Sequence, residues 1–189
     1  MKIKLIPLKL VAHAGNYHAY KLRESSKLFK KVSHKCLQHS PYCQYCGYTN
    51  DDQKNLSIIN IDGDYKNNHQ RNFAVSCPLC TRTQLLDYYP MNYDAGDKMI
   101  FLDDLSQAQL NQILHALYLR YKNKEDRFEL KKLYASFDCY AQTLNEVAGF
   151  ELSNPGLYVE YASRVNAHNS LLKKSRWLPS LTSLERLLT

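Results

Sequence analysis

CQYCGYTNDDQKNLSIINIDGDYKNNHQRNFAVSCPLC, residues 43–80, opens and closes on the same Cys-x-x-Cys pattern, with thirty residues between the two pairs. Two thiolates separated by two residues reach adjacent corners of a tetrahedron around an ion with metal–sulfur bonds of ~2.3 Å. Gly47, directly after the second cysteine, supplies the positive φ that such a knuckle often needs. Cys43, Cys46, Cys77 and Cys80 are therefore expected to close a four-thiolate site around one zinc ion. Four thiolates leave no coordination position open, so this zinc is expected to be structural and not catalytic. In small zinc peptides the binding energy, about 10–16 kcal/mol, is largely folding energy. The competing readings are four merely buried thiols or a redox pair, and two such pairs within one short segment favour the metal.

Working outward, LSIINI (residues 56–61) reads as a strand, and Asp62, Gly63 and Asp64 as the turn that follows it. A short helix is predicted from near Pro78 toward Tyr88. Upstream, Lys2 to His13 has period-two stretches and is predicted as one or two strands, with Pro7 at an edge or bend. From Leu22 to Leu37, the positions Leu28, Phe29, Val32 and Cys36 fit one face of a helix. His34 and His39, close to the first knuckle, are read as surface histidines. Cys36 and Cys139 fall on apolar helix faces and are read as core residues rather than ligands.

Downstream, YYPMNYDAGDK (residues 88–98) is a loop and KMIFL (residues 98–102) a short strand. Helices then dominate. Ser106 and Gln109 make a capping box for a helix carrying Leu110, Ile113, Leu114, Leu117, Tyr118 and Tyr121 at helical spacing. A second helix carries Leu130, Leu133, Phe137, Ala141, Leu144 and Ala148 and ends at Gly149. SNPG then places Pro155 at the first position of another helix, and Leu181, Leu184 and Leu188 mark a last short one. The fold class is α+β: N-terminal strands, a helix and a four-cysteine zinc module (residues 1–97), packed with an all-helical half (residues 98–189) in one joint core.

Apolar residues make up 44% of the 189-residue chain, enough for a packed core. The formal charge of +7 favours an anionic partner: nucleic acid, an acidic protein segment or a lipid surface. The excess is spread over residues 21–35, 120–132 and 173–176, and the middle group, mixed with Glu125, Asp126 and Glu129, reads as a solvated helix face. Pro7 and Lys9 interrupt the first apolar run, which is read as too short for an export signal, and no stretch approaches ~18 uninterrupted apolar residues. A cytoplasmic protein without direct membrane insertion is the expectation, and reduced thiols there again favour metal over disulfides.

Three pieces, FKKVSHKCLQHSPYCQYCGYT (residues 29–49), IINIDGD (58–64) and RNFAVSCPLC (71–80), together resemble the HNH endonuclease finger. The resemblance implies a ββα module in which Asp62 matches the family's Asp and Asn72 its Asn. Gly63 stands where the general-base histidine belongs, and Thr81 where a metal-binding histidine follows the second knuckle. Glycine cannot deprotonate water, and threonine is a poor divalent ligand, so the motif reads as a degenerate nuclease and the chain as a non-enzyme. His69 is the nearest substitute base, and Asp62 and Asp64 are read as turn caps.

A resemblance covering almost the full chain rests on CQYCG, NIDGDYKNN, SCPLC, IFLDDLSQAQLN (residues 100–111) and RWLPS (176–180) taken together. It is to the IcmJ (DotN) proteins of Dot/Icm-type, type IVB, secretion systems. That resemblance implies a non-enzymatic zinc subunit of the coupling complex, peripheral to the bacterial inner membrane. It also implies binding to the C-terminal cytoplasmic tail of the coupling ATPase DotL, in an assembly with IcmS–IcmW adaptors that recruits effectors for translocation. The alternatives from other classes are a metal-dependent HNH-type DNA endonuclease and a non-catalytic nucleic-acid-binding finger. Only Arg71 and Arg82 flank the second knuckle, a sparse charge density for reading nucleic acid.

Overall fold

The structure is a computed structural model, and it describes residues 5–49, 55–90, 96–123, 127–166 and 168–189. It divides into two compact units, residues 1–88 and 89–189. The first residues of the expected N-terminal strand (2–4), part of the expected loop (91–95) and the acidic pair Glu125 and Asp126 lie outside the described residues.

In the N-terminal unit, α1 (Asn16–Ser25) and α2 (Lys27–His39) lead into an antiparallel pair, β1 (Ser57–Asn60) and β2 (Phe73–Ser76), followed by α3 (Pro78–Thr83). The ββα arrangement that the nuclease resemblance implies is present. The pairing sets Ile58 opposite Val75 and Ile59 opposite Ala74, and all four are buried. The single helix expected over residues 22–37 is two. Ser26 takes an extended conformation (φ −70°, ψ 126°), and its hydroxyl accepts from the Phe29 N–H as the N-cap of α2. The helix expected to run from Pro78 toward Tyr88 stops at Thr83, and a 3-10 turn (Leu86–Tyr88) follows.

Residues 5–13 do not form the predicted strand. They run extended across the unit on isolated hydrogen bonds: Ile6 N–H to Gln44 O at 2.8 Å, Val11 N–H to Thr83 O at 3.0 Å, and Leu86 N–H to Val11 O at 3.1 Å. Pro7 has no donor to give, and contacts made one at a time to three separate elements do not build a ladder.

The C-terminal unit contains β3 (Lys98–Phe101), α4 (Gln107–Lys122), α5 (Arg127–Ala148), α6 (Pro155–Arg164), α7 (Ser170–Lys174), β4 (Ser175–Leu178) and α8 (Leu181–Leu188). It is largely but not wholly helical, because β4 returns across more than seventy residues to pair antiparallel with β3, Met99 opposite Trp177. Trp177, Met99, Ile100, Leu110, Leu114 and Leu144 are fully buried there. The open edge of β4 is closed by one side chain: the Gln107 amide donates to Trp177 O (3.0 Å) and accepts from Trp177 N–H (2.8 Å), as a neighbouring strand would. The capping box forms as expected, with Gln109 N–H to Ser106 Oγ at 3.3 Å and Ser106 N–H to Gln109 Oε1 at 2.8 Å. Gly149, at φ 78°, ends α5, and Asn154 caps α6 ahead of Pro155.

One buried cation ties α1 to the finger. The Arg23 guanidinium lies within 4.5–5.5 Å of the ring centroids of Phe29, Tyr65, Tyr20 and Phe73. It donates to Asn60 Oδ1, to Ile58 O at 2.5 Å and to Asn68 Oδ1 at 3.2 Å. Burial lowers its pKa from the ordinary arginine value, yet the planar fork satisfies acceptors at the end of β1 that water cannot reach. Replacing Arg23 with alanine leaves those acceptors unpaired, and a loss of about 2–4 kcal/mol in urea denaturation is expected. Lysine, a point donor on a thinner stem, is expected to recover less than half of it.

Candidate metal centre

The first knuckle is a tight turn. Gly47 N–H donates to Cys43 O at 2.8 Å and Cys43 N–H to Tyr48 O at 2.7 Å, with Gly47 at φ 76°, the left-handed conformation its position calls for. Gln44 docks the knuckle on β2: its backbone N–H donates to Val75 O and its side-chain oxygen accepts from Val75 N–H, each at 2.8 Å. The second knuckle is the start of α3: Cys77 is its N-cap residue, Pro78 occupies the first turn, and Thr81 N–H closes on Cys77 O at 2.9 Å. A hairpin of four-residue strands between them brings the thirty-residue gap back on itself.

The four sulfurs of Cys43, Cys46, Cys77 and Cys80 lie within 4.8 Å of one another, and no cysteine is in a disulfide. Cys46 Sγ and Cys77 Sγ are 3.6 Å apart. A tetrahedron with metal–sulfur bonds of ~2.3 Å has edges of about 3.8 Å, so the cluster has the size of a four-thiolate shell. All four residues are at most 3% exposed. The electrostatics ask for a cation. Sulfur contacts from Cys46, Cys77 and Cys80 hold Cys43 far below the ordinary thiol range, while burial drives Cys77 and Cys80 well above it. A divalent ion would supply the compensation that lets buried thiols ionise together. These residues are suited to hold a structural metal ion such as zinc, which would neutralise the sulfurs and cross-link the two knuckles.

His34 and His39 are exposed, and the only ligand cluster among the described residues is the tetracysteine group. Cys36 is half-buried and Cys139 exposed, so the expected core placement fails for Cys139. It sits on the solvent side of α5, its thiol donating to Ser136 O.

The turn after β1 accounts for the remaining motif residues. Asp62 Oδ1 accepts from Asp64 N–H (2.9 Å) and from Asn72 Nδ2 (2.8 Å), and Oδ2 accepts from Asn67 Nδ2 (2.6 Å). Its backbone N–H donates to Asn72 Oδ1 at 3.1 Å. Partial burial works to raise the Asp62 pKa, but the donors from Asn72, Asp64 and Asn67 outweigh it and hold the carboxyl below the usual range. Asp64 Oδ1 likewise accepts from Lys66 N–H at 2.8 Å. Both carboxylates cap the turn, and Asp62 and Asn72, matched by the nuclease resemblance, hold each other. His69 is exposed, at the entrance to the 3-10 turn Gln70–Asn72.

Gly63 is the decisive position. Its φ is +76°, and a Cβ there would stand 2.9 Å from Val11 Cγ2 and 3.2 Å from Val11 Cγ1. Val11 is fixed from both sides by its bonds to Thr83 and Leu86, so the N-terminal segment fills the space a side chain would need. The sequence reading missed this contact, as it missed Asn16, whose buried amide donates to Gly63 O at 2.6 Å, and Asn60, which donates to Asp64 O and Asn67 O. Only one signal was available: a polar residue closing the apolar run of β1.

Two results are expected. Elemental analysis of the purified chain should return one divalent ion, and Cys77→Ser should lose both that ion and the cooperative thermal transition. Gly63→Ala should cost about 1–2 kcal/mol for the left-handed backbone and a further ~1–3 kcal/mol for the clash. In urea denaturation, adding Val11→Ala should return the clash portion alone, as a coupling energy in the double-mutant cycle.

No protein-family model matches the sequence. The chain is similar to the type 4 apparatus protein DotN of Legionella pneumophila subsp. pneumophila (strain Philadelphia 1), at 31% identity over 182 residues. The match takes in 92% of this chain and 83% of the relative, and so extends far beyond the knuckles. On that near full-length identity, the chain belongs to the DotN family of type 4 apparatus proteins.

Proposed function

We propose that the chain is a non-catalytic, zinc-stabilised subunit of a type IVB secretion coupling complex. In this reading it binds the C-terminal cytoplasmic tail of the coupling ATPase DotL, joins a larger assembly with IcmS–IcmW adaptors, and supports effector recruitment and translocation. It resides in the cytoplasm, held at the inner membrane through that complex. The observation that carries the reading is the near full-length relationship to a type 4 apparatus protein.

The site supports a scaffold over a catalyst. Four buried cysteines can enclose an ion without an open position for water or substrate. The place where a nuclease of this outline keeps its base is a glycine packed against Val11. The carboxylate beside it, Asp62, has its oxygens taken up by Asp64, Asn67 and Asn72. No helix among the described residues is long and apolar enough to cross a membrane.

The test is co-expression of the chain with a tagged DotL C-terminal segment. Stable co-purification through size exclusion is expected, and its loss in Cys77→Ser would follow from loss of the finger. Failure of the wild-type chain to retain the segment would sink the adaptor reading. In parallel, incubation with supercoiled plasmid and Mg²⁺ or Mn²⁺ is expected to leave the plasmid intact; cleavage abolished by His69→Ala would restore the enzyme.

A further inference from the structure

We infer that the solvent face of α2, with the junction between α1 and α2, is a docking surface for an anionic membrane leaflet. The thirteen residues of α2 contain four lysines and two histidines and no acidic residue. At ~100° per residue, Lys27, Lys31 and Lys35 follow one another along one face, with His34 and Gln38 beside them and Lys30 at the edge. All are exposed, and among the described residues none of these lysines has a carboxylate partner. The opposite face is occupied: Phe29 packs edge-on against Phe73 of β2 at 5.7 Å, and Val32, Ser33 and Cys36 are half-buried. The helix is therefore held by the finger on one side and presents its charge outward.

Charge alone would suit any polyanion, and two leucines decide the class of partner. Leu28 is 74% exposed and borders Lys31 and Lys35 one and two turns on; Leu22, just before the break at Ser26, is 60% exposed. A phosphodiester backbone is bound through its charges and gains little from aliphatic side chains. A leaflet takes both: lysines meet the headgroups while leucines enter the acyl boundary, the pattern of helices that lie in an interface. Each lysine near an anionic leaflet contributes about five-fold in partitioning, and the attraction weakens as the Debye length shrinks. This surface is separate from the metal cluster and from the partner reading above, and depends on neither.

The experiment is co-sedimentation of the full chain with vesicles of equal parts phosphatidylcholine and phosphatidylglycerol, against phosphatidylcholine alone. Binding to the anionic vesicles only, falling with added salt, is expected. Lys30→Glu, Lys31→Glu and Lys35→Glu together should weaken it by more than about 100-fold, since three attractions are lost and three repulsions are added. Leu22→Ser with Leu28→Ser should weaken it about ten-fold while leaving the salt dependence in place. Metal content and the thermal transition report that each variant is folded, and the milder Lys30→Gln with Lys31→Gln substitutes if the charge reversal is not. Equal binding to both vesicle types, or full binding by the lysine variant, overturns the inference. So does duplex DNA displacing the chain from vesicles with an affinity indifferent to the two leucines, which would mark the face as a nucleic-acid surface.

Discussion

The convergence of four sulfurs is the constraint from which the N-terminal unit follows. Two knuckles thirty residues apart can share one ion only if the chain between them doubles back, and β1 and β2 are that return. The sheet is only two strands of four residues each, too small to be stable on its own in water. It holds because Gln44 stitches the first knuckle to Val75, Cys77 starts α3 directly from β2, and Arg23 seals the far end against four rings. An ion held by the four sulfurs would act on the same few residues as the packing, so its removal would be felt across the unit rather than locally.

The tight turn at Gly63 is set by packing as well as by its backbone. Val11 occupies the space a side chain there would need, and its backbone is bonded to Thr83 and Leu86 at the end of the finger's helix. The left-handed backbone at Gly63 adds a second barrier, since every residue with a Cβ is strained there. Asp62 and Asn72 are turned to each other and keep the turn closed.

The C-terminal unit reaches its order by a different route. Its helices are set by caps and apolar spacing, but what fixes their arrangement is a strand pair closed late in the chain. Trp177 fills the centre, and Gln107 supplies β4 with the hydrogen bonds of a neighbour it lacks. A buried glutamine in the first turn of a helix reads in sequence as a surface residue; its role emerges only when residue 177 arrives beside it.

The local rules determined a good deal. Cys-x-x-Cys spacing marked the four cysteines that cluster, Gly47 and Gly149 marked positions needing positive φ, and Ser106 with Gln109 and Asn154 with Pro155 marked helix starts, because each depends on groups a few residues apart. Only tertiary structure decided the rest: that residues 5–13 strap the finger without forming a strand, that Ser26 divides one helical pattern in two, and that Arg23 is buried. Val11 meets Gly63 across fifty-two positions, and β4 meets β3 across more than seventy. Periodicity and propensity describe a residue's neighbours along the chain, whereas these contacts are set by which surfaces the whole fold brings together and how much apolar area that burial withdraws from water.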